Sequence, residues 1–236
     1  MPLAQDSQND KITVTEKLND FLQQHRSKFL AALISIMVII AGIITVTAIR
    51  DKIREKALIE ADSFALRYEA LKNFISEGNP DADSRQGEID ALLNDLSSFA
   101  SKTSGFASSR AYIIIADINY TKKNWAEAES AYIASAEKAP KSYLAPLSYY
   151  NAASAAEEQG KTQDAINLYT KALNYENEFP AAIRAQFAVG RLEEYRNNPE
   201  AALTAYRTLV GKWPSDPIYV NLAQSRIIVL SDLASP

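Results

Sequence analysis

Side chains able to carry a reaction are few in this chain, and their spacing argues against one. Cysteine is absent, which removes thiol catalysis, disulfides and cysteine-ligated zinc. The single histidine, His25, stands just before an uncharged apolar run and reads as a membrane-interface residue rather than a base or a ligand. Two adjacent carboxylate pairs remain, Glu157-Glu158 and Glu193-Glu194. Sequence neighbours on a helix do not face each other, so both pairs read as solvated helix surface. No glycine-rich phosphate loop, metal-ligand spacing or nucleophile elbow occurs. Asn119-Tyr120-Thr121 has the form of a glycosylation acceptor but falls within a predicted helix. The expectation is a protein with no enzymatic activity, no cofactor and no metal.

The elements that position these residues begin at a membrane. Phe29 to Ile49 is 21 residues without a charge. As a helix it is about 31 Å long, matching a hydrocarbon core of about 30 Å. His25, Arg26 and Lys28 precede it, and Arg50, Lys52 and Arg54 follow. Such side chains can reach the headgroups from both ends. Val46-Thr47-Ala48 loosely fits a signal-peptidase site, but the apolar run is longer than a signal peptide needs and a polar tail precedes it. A retained transmembrane anchor is expected. Lys17, Arg26 and Lys28 stand in the 15 residues before the span and Arg50, Lys52, Arg54 and Lys56 in the 15 after it, a count that sets no orientation and leans slightly against an outside domain. With 236 residues, 47% hydrophobic content and a formal charge of −4, the chain can pack a sizeable domain and is unsuited to nucleic acid.

Beyond the membrane the periodicity is helical throughout. Ile53, Ala57, Ala61, Phe64, Tyr68, Leu71 and Ile75 form one apolar stripe, ended by Gly78-Asn79-Pro80. Ser84 is placed to cap a helix over 85–102, with Gly105 after it, and Ser108 to cap the next, to about 122. Further helices are predicted from Trp125 to Ala139, from Ser142 to Gly160, from Thr162 to about 176 and from Pro180-Ala181 to about 196. Pro199 and Pro217 suit first-turn positions. The predicted organisation is 1–28, a short polar tail; 29–49, the anchor; 50–105, juxtamembrane helices forming a degenerate pair; and 106–236, a run of helix pairs with a terminal capping helix at 217–233.

Three stretches repeat: AEAESAYIASAEKAP at 126–140, QDAINLYTKALNYEN at 163–177 and EAALTAYRTLVGKWP at 200–214, each beginning 37 residues after the last. Ala128, Ala165 and Ala202 align, and Tyr132, Tyr169 and Tyr206 follow four positions later. Twelve residues before each aligned alanine stands Ala116, Ala153 or Gly190. Small residues there let two antiparallel helices approach closely, and the tyrosine is expected to fill the space against the next pair. The arrangement resembles the tetratricopeptide repeat, which has a shorter period, so extra residues are expected near 140–146 and 177–183. Asn119, Ala156 and Glu193 depart from the family's usual aromatic, and Leu209 from its usual small residue.

The resemblance implies an all-α solenoid whose first helices line a concave, protein-binding face. The positions that face the groove in this family fall here on Arg110, Ile113, Asp117, Tyr120 and Thr121; on Leu147, Tyr150, Ser154, Glu157 and Glu158; and on Arg184, Phe187, Arg191, Glu194 and Tyr195. Of these, Arg110, Asp117, Tyr120, Tyr150, Ser154, Glu157, Arg184, Phe187, Arg191 and Tyr195 are the candidate binding residues, aromatic and arginine side chains being effective anchors. The Lys/Asn set that clamps C-terminal carboxylates in chaperone-binding repeats is not matched, since Ile113 and Asp117 occupy its first places. A polar tail, one anchor and a helical-repeat domain also resemble the bacterial ancillary subunit of the SecYEG translocon, a family related to a cell-division coordinator. That resemblance implies an inner-membrane protein with a periplasmic domain, whose partners are translocon subunits, secreted chains or periplasmic chaperones. The alternative is a scaffold for envelope or division machinery, assembling as a homo-oligomer through 50–76.

Overall fold

The computed structural model describes residues 6–75 and 82–233. Nine helices are seen among them: α1 (Asp6–Ile75), α2 (Ala82–Lys102), α3 (Gly105–Thr121), α4 (Trp125–Lys138), α5 (Leu144–Glu158), α6 (Thr162–Leu173), α7 (Ala182–Tyr195), α8 (Pro199–Lys212) and α9 (Pro217–Leu233). No strand occurs among the described residues, as the helical periodicity predicts. The chain divides into two compact units, Met1–Glu55 and Lys56–Pro236.

In the first unit every side chain from Phe29 to Ile49 is exposed. The segment is long and apolar enough to cross a membrane. Its hydroxyls are satisfied within the helix: Ser35 donates to the Ala31 carbonyl and Thr45 to Ala41, each at 2.8 Å, and Thr47 to Ile44 at 2.9 Å. A lipid environment demands such internal satisfaction, because it offers no water to the polar atoms. The polar tail expected before the apolar run is itself helical from Asp6.

The second unit is a succession of helix pairs. Ala61, Phe64, Leu71 and Ile75 of α1 pack with Ile89, Leu92, Leu96 and Phe99 of α2, and with Ala107, Ala111, Ile114 and Ile118 of α3. Ala61, Phe64, Leu71 and Ile75 of the α1 stripe are therefore buried and Tyr68 partly so, whereas Ile53 at its start is exposed. Gly78-Asn79-Pro80, expected to end this stripe, lies outside the described residues. A second core runs from α3 to α7, and a third joins α7, α8 and α9.

Several helix starts differ from expectation. Ser84 lies inside α2, which begins at Ala82, and Gly105 opens α3 at φ +67° instead of trailing α2. Ser108 caps from the opposite side. It is fully buried in α3 and donates to the Ala100 carbonyl of α2 at 2.8 Å, one of the last-turn carbonyls a helix leaves without an internal partner. Ser142 precedes α5, donating back to Ala139 at 2.8 Å. Pro199 and Pro217 occupy the first helical positions of α8 and α9. Asp216 accepts from the Ile218 and Tyr219 amides at 3.1 and 3.0 Å, filling the N-cap role.

The turns within pairs repeat as faithfully as the helices. Lys123, Gly160 and Asn197, spaced 37 apart, all adopt left-handed backbone at φ 60°, 71° and 57°. After each, an amide reaches back across the turn: Asn124 to the Asn119 carbonyl at 2.9 Å, Lys161 to Ala156 at 3.0 Å and Asn198 to Glu193 at 2.9 Å. This is the Schellman closure of a helix C-terminus. Residues 139–143 and 174–181 connect successive pairs, which accommodates the longer period close to the predicted places.

Candidate protein-binding face

Close packing of the pairs starts from small residues. Ala116, Ala128, Ala153, Ala165 and Ala202 are wholly buried. Gly190 meets a tighter constraint: a Cβ there would lie 2.6 Å from Cε1 of Tyr206 and under 3.0 Å from two further ring atoms. Tyr132, Tyr169 and Tyr206 are themselves buried. Their ring and hydroxyl partners lie on the first helix of their own pair, and each also shares a buried core with the helix that follows its pair. Tyr132 stacks edgewise on Tyr120, Tyr169 on Tyr150, and Tyr206 leans on Phe187.

Each buried phenol must then place its hydroxyl, and each finds a carboxylate on the same first helix. Tyr132 donates to Asp117 Oδ1, Tyr169 to Glu157 Oε1 and Tyr206 to Glu194 Oε1, all at 2.6 Å. Burial first, and the neighbouring carboxylate second, push these three tyrosine hydroxyls well above the usual tyrosine range. They stay protonated donors.

The carboxylates bind further along the face. Glu157 Oε2 accepts from Arg191 of α7, and Glu194 is gripped by two nitrogens of Arg226 of α9. The Arg226 hydrogen bond, outweighing burial, holds the Glu194 carboxyl below its usual range. Glu193 is buried and accepts from Arg196 and Asn198 at 3.3 and 3.1 Å. Glu157, Glu193 and Glu194 are thus structural acceptors, and the reading of both acidic pairs as solvated surface holds only for Glu158, which is exposed. For Glu157 and Glu194 the reason is geometric, since phenols arriving from the second helix demand acceptors on the first; Glu193 instead closes the turn that follows its own helix.

The candidate residues fall into three groups. Arg110, Asp117, Ser154, Glu157 and Arg191 are tied into polar links: Arg110 pairs with Asp62 of α1, and Ser154 Oγ lies 3.2 Å from the Tyr169 hydroxyl. Tyr120, Tyr150 and Phe187 are half-buried in ring contacts, Tyr120 with Trp125 at 4.8 Å, Tyr150 with Phe179 at 5.9 Å and Phe187 with Tyr219 at 5.7 Å. Arg184 and Tyr195 are exposed, Tyr195 by 78%. Asp62 and Arg226, which pair with Arg110 and Glu194, lie outside the repeat register and carry no signal in the sequence, and Tyr68, expected only as part of the apolar stripe, lies within electrostatic reach of Asp117. The Asn119 side chain of the glycosylation-like triplet donates to the Ile115 carbonyl at 2.9 Å. Among the described residues no group of three or more potential metal ligands occurs.

A buried serine relay adds a link that no motif announces. Ser135 Oγ lies 2.9 Å from both Ser109 Oγ and Ser148 Oγ, and all three side chains are fully buried. It stitches α3, α4 and α5 together where the usual repeat has only a small residue.

Helix pairs closed by identical turns, with small-residue seams and one shared polar–aromatic face, define a helical-repeat interaction protein. A family model for the tetratricopeptide repeat matches residues 150–217. A "TPR repeat-containing protein" from Treponema pallidum (strain Nichols) is 33% identical over 229 residues, covering 91% of this chain and 93% of that protein. The chain belongs to the tetratricopeptide-repeat proteins, and its repeats form a protein–protein interaction module.

Proposed function

We propose that this chain is a non-catalytic, single-pass membrane protein whose repeat domain holds partner proteins beside the bilayer, outside the inner membrane, and assists secreted chains as they leave the translocon. The observation that carries the reading is the combination in one chain of an apolar helical segment exposed along its whole length from Phe29 to Ile49 with a first-helix face presenting Arg184 and Tyr195. The first needs lipid. The second presents an arginine and an aromatic side chain of the kind that dominates protein interfaces. The test is photo-crosslinking in cells from positions 184 and 195. Translocon subunits and nascent secreted chains are the expected partners. Capture solely of division or cell-wall proteins would replace this reading with an envelope scaffold. Protease added to intact spheroplasts should digest 50–236; protection of that region would place the domain in the cytoplasm.

A further inference from the structure

Arginine–carboxylate pairs bridge successive first helices of the repeat domain. Asp62 of α1 pairs with Arg110 of α3, Glu157 of α5 with Arg191 of α7, and Glu194 of α7 with Arg226 of α9. The step from α3 to α5 breaks the series. Asp117 of α3 is anchored as Glu157 and Glu194 are, by a repeat tyrosine at 2.6 Å. Its second oxygen, Oδ2, has no donor among the described residues, whereas both oxygens of Glu157 and of Glu194 are engaged. Helix α5 contains no lysine or arginine. Where α7 carries Arg191, the residue 37 earlier is Ser154.

We propose that the α3–α5 step is a docking site for an arginine side chain of a partner protein, received by the Asp117 carboxylate as the neighbouring carboxylates receive the chain's own arginines. This rests on the interaction-module reading above. The occupant follows from charge complementarity and from the fold's own templates: at each other step the group meeting the carboxylate is a guanidinium. The surroundings suit it. Tyr132, which anchors the carboxylate, has its ring centre 6.4 Å from that of the partly exposed Tyr120, and guanidinium groups stack on such exposed aromatic faces. Asp117, Tyr120 and Ser154 are each partly open to solvent, so an incoming side chain has access. Burial holds the Asp117 carboxyl above its usual range despite the Tyr132 hydrogen bond, a cost that an arriving cation would offset.

The full-length chain, held in phospholipid nanodiscs, is used to select short random peptides displayed on phage. The expected result is enrichment of arginine-containing peptides that bind Asp117→Asn at least about tenfold more weakly, the loss typical of removing one partner of an enclosed charge pair. Ser154→Arg supplies the missing guanidinium from within and should weaken the same peptides without removing Asp117. Glu127→Gln, an exposed carboxylate on α4, should leave their affinity within about twofold, since rim charges contribute little. Helical circular dichroism of each variant shows that the fold survives, and Ser154→Arg decides the matter if Asp117→Asn does not fold. Peptides that lack arginine, or that bind both groove variants undiminished, overturn the arginine assignment while leaving the interaction module standing. Retention of no peptide by the wild-type chain overturns both.

Discussion

Gly190→Ala isolates the tightest contact in the repeat domain. The new methyl carbon would sit 2.6, 2.8 and 2.9 Å from Cε1, Cζ and Cδ1 of Tyr206, against an ordinary carbon–carbon separation of about 3.5–4.0 Å. The ring must therefore retreat by about 1 Å. It has nowhere to go: Tyr206 is 1% exposed, Phe187 lies 5.4 Å away, and its hydroxyl is held 2.6 Å from Glu194. Overpacking of this kind costs about 1–3 kcal/mol, and stretching a bond to a charged acceptor forfeits part of about 1.5–3 kcal/mol. Against this, alanine gains about 1 kcal/mol over glycine inside a helix. The balance is a loss of about 1–3 kcal/mol, or a fall in Tm of roughly 2–10 °C for a domain of this size. Thermal unfolding followed by circular dichroism measures it. In a Tyr206→Leu background the clash is relieved, and the same alanine should be neutral or stabilising by up to about 1 kcal/mol. A rise in Tm for Gly190→Ala alone would show that the ring can yield and would refute the reasoning.

Three further perturbations address the turn, the serine relay and the acid limb of stability. Gly160→Ala meets no atom within 4 Å but retains φ +71°, so it should cost about 1 kcal/mol through the backbone alone. Gly160→Asn should cost less in urea denaturation, because Asn197 already occupies the equivalent turn. Ser135→Ala removes the middle hydroxyl between Ser109 and Ser148 and should destabilise by about 1–3 kcal/mol; an unchanged urea midpoint would mean the relay contributes nothing. The Glu194 carboxyl, lowered first by its Arg226 hydrogen bond, stabilises the fold above its usual value of 4.5 and loses that contribution as pH falls through the folded value. Arg226→Met should therefore shrink the difference between urea midpoints at neutral pH and below 4.5; an undiminished difference would assign the acid sensitivity elsewhere.

Much of the fold is legible in the chain because helices are written locally. Spacings of three and four place Ala61, Phe64, Leu71 and Ile75 on one stripe, and they are buried together. Pro199 and Pro217 announce first turns because their fixed φ and missing amide suit no other part of a helix. Glu157 and Glu194, 37 residues apart, carried a readable signal as well, since both recur in register with the tyrosines. Asp117 fell in the groove register, but its tie to Tyr132 did not show: it lies one helical turn earlier in its repeat than Glu157 and Glu194 do in theirs, yet its carboxylate meets the equivalent tyrosine.

What the amino-acid sequence determined by itself is the class of the protein: an uncharged 21-residue span, a 37-residue period of paired helices, and small residues at the seams. These are properties of segments, set by hydrophobic spacing, propensity and backbone limits, and they need no partner to be read. Only the tertiary structure decided which way the tyrosines turn, that they draw carboxylates onto the first-helix face, that Gly190 lies under a ring, and that one step between first helices lacks its arginine. Those depend on how far side chains reach between helices distant in sequence. The hydroxyl of a buried phenol donates to whichever acceptor the packing brings within about 2.6–3.0 Å, and only the packed helices determine which one that is.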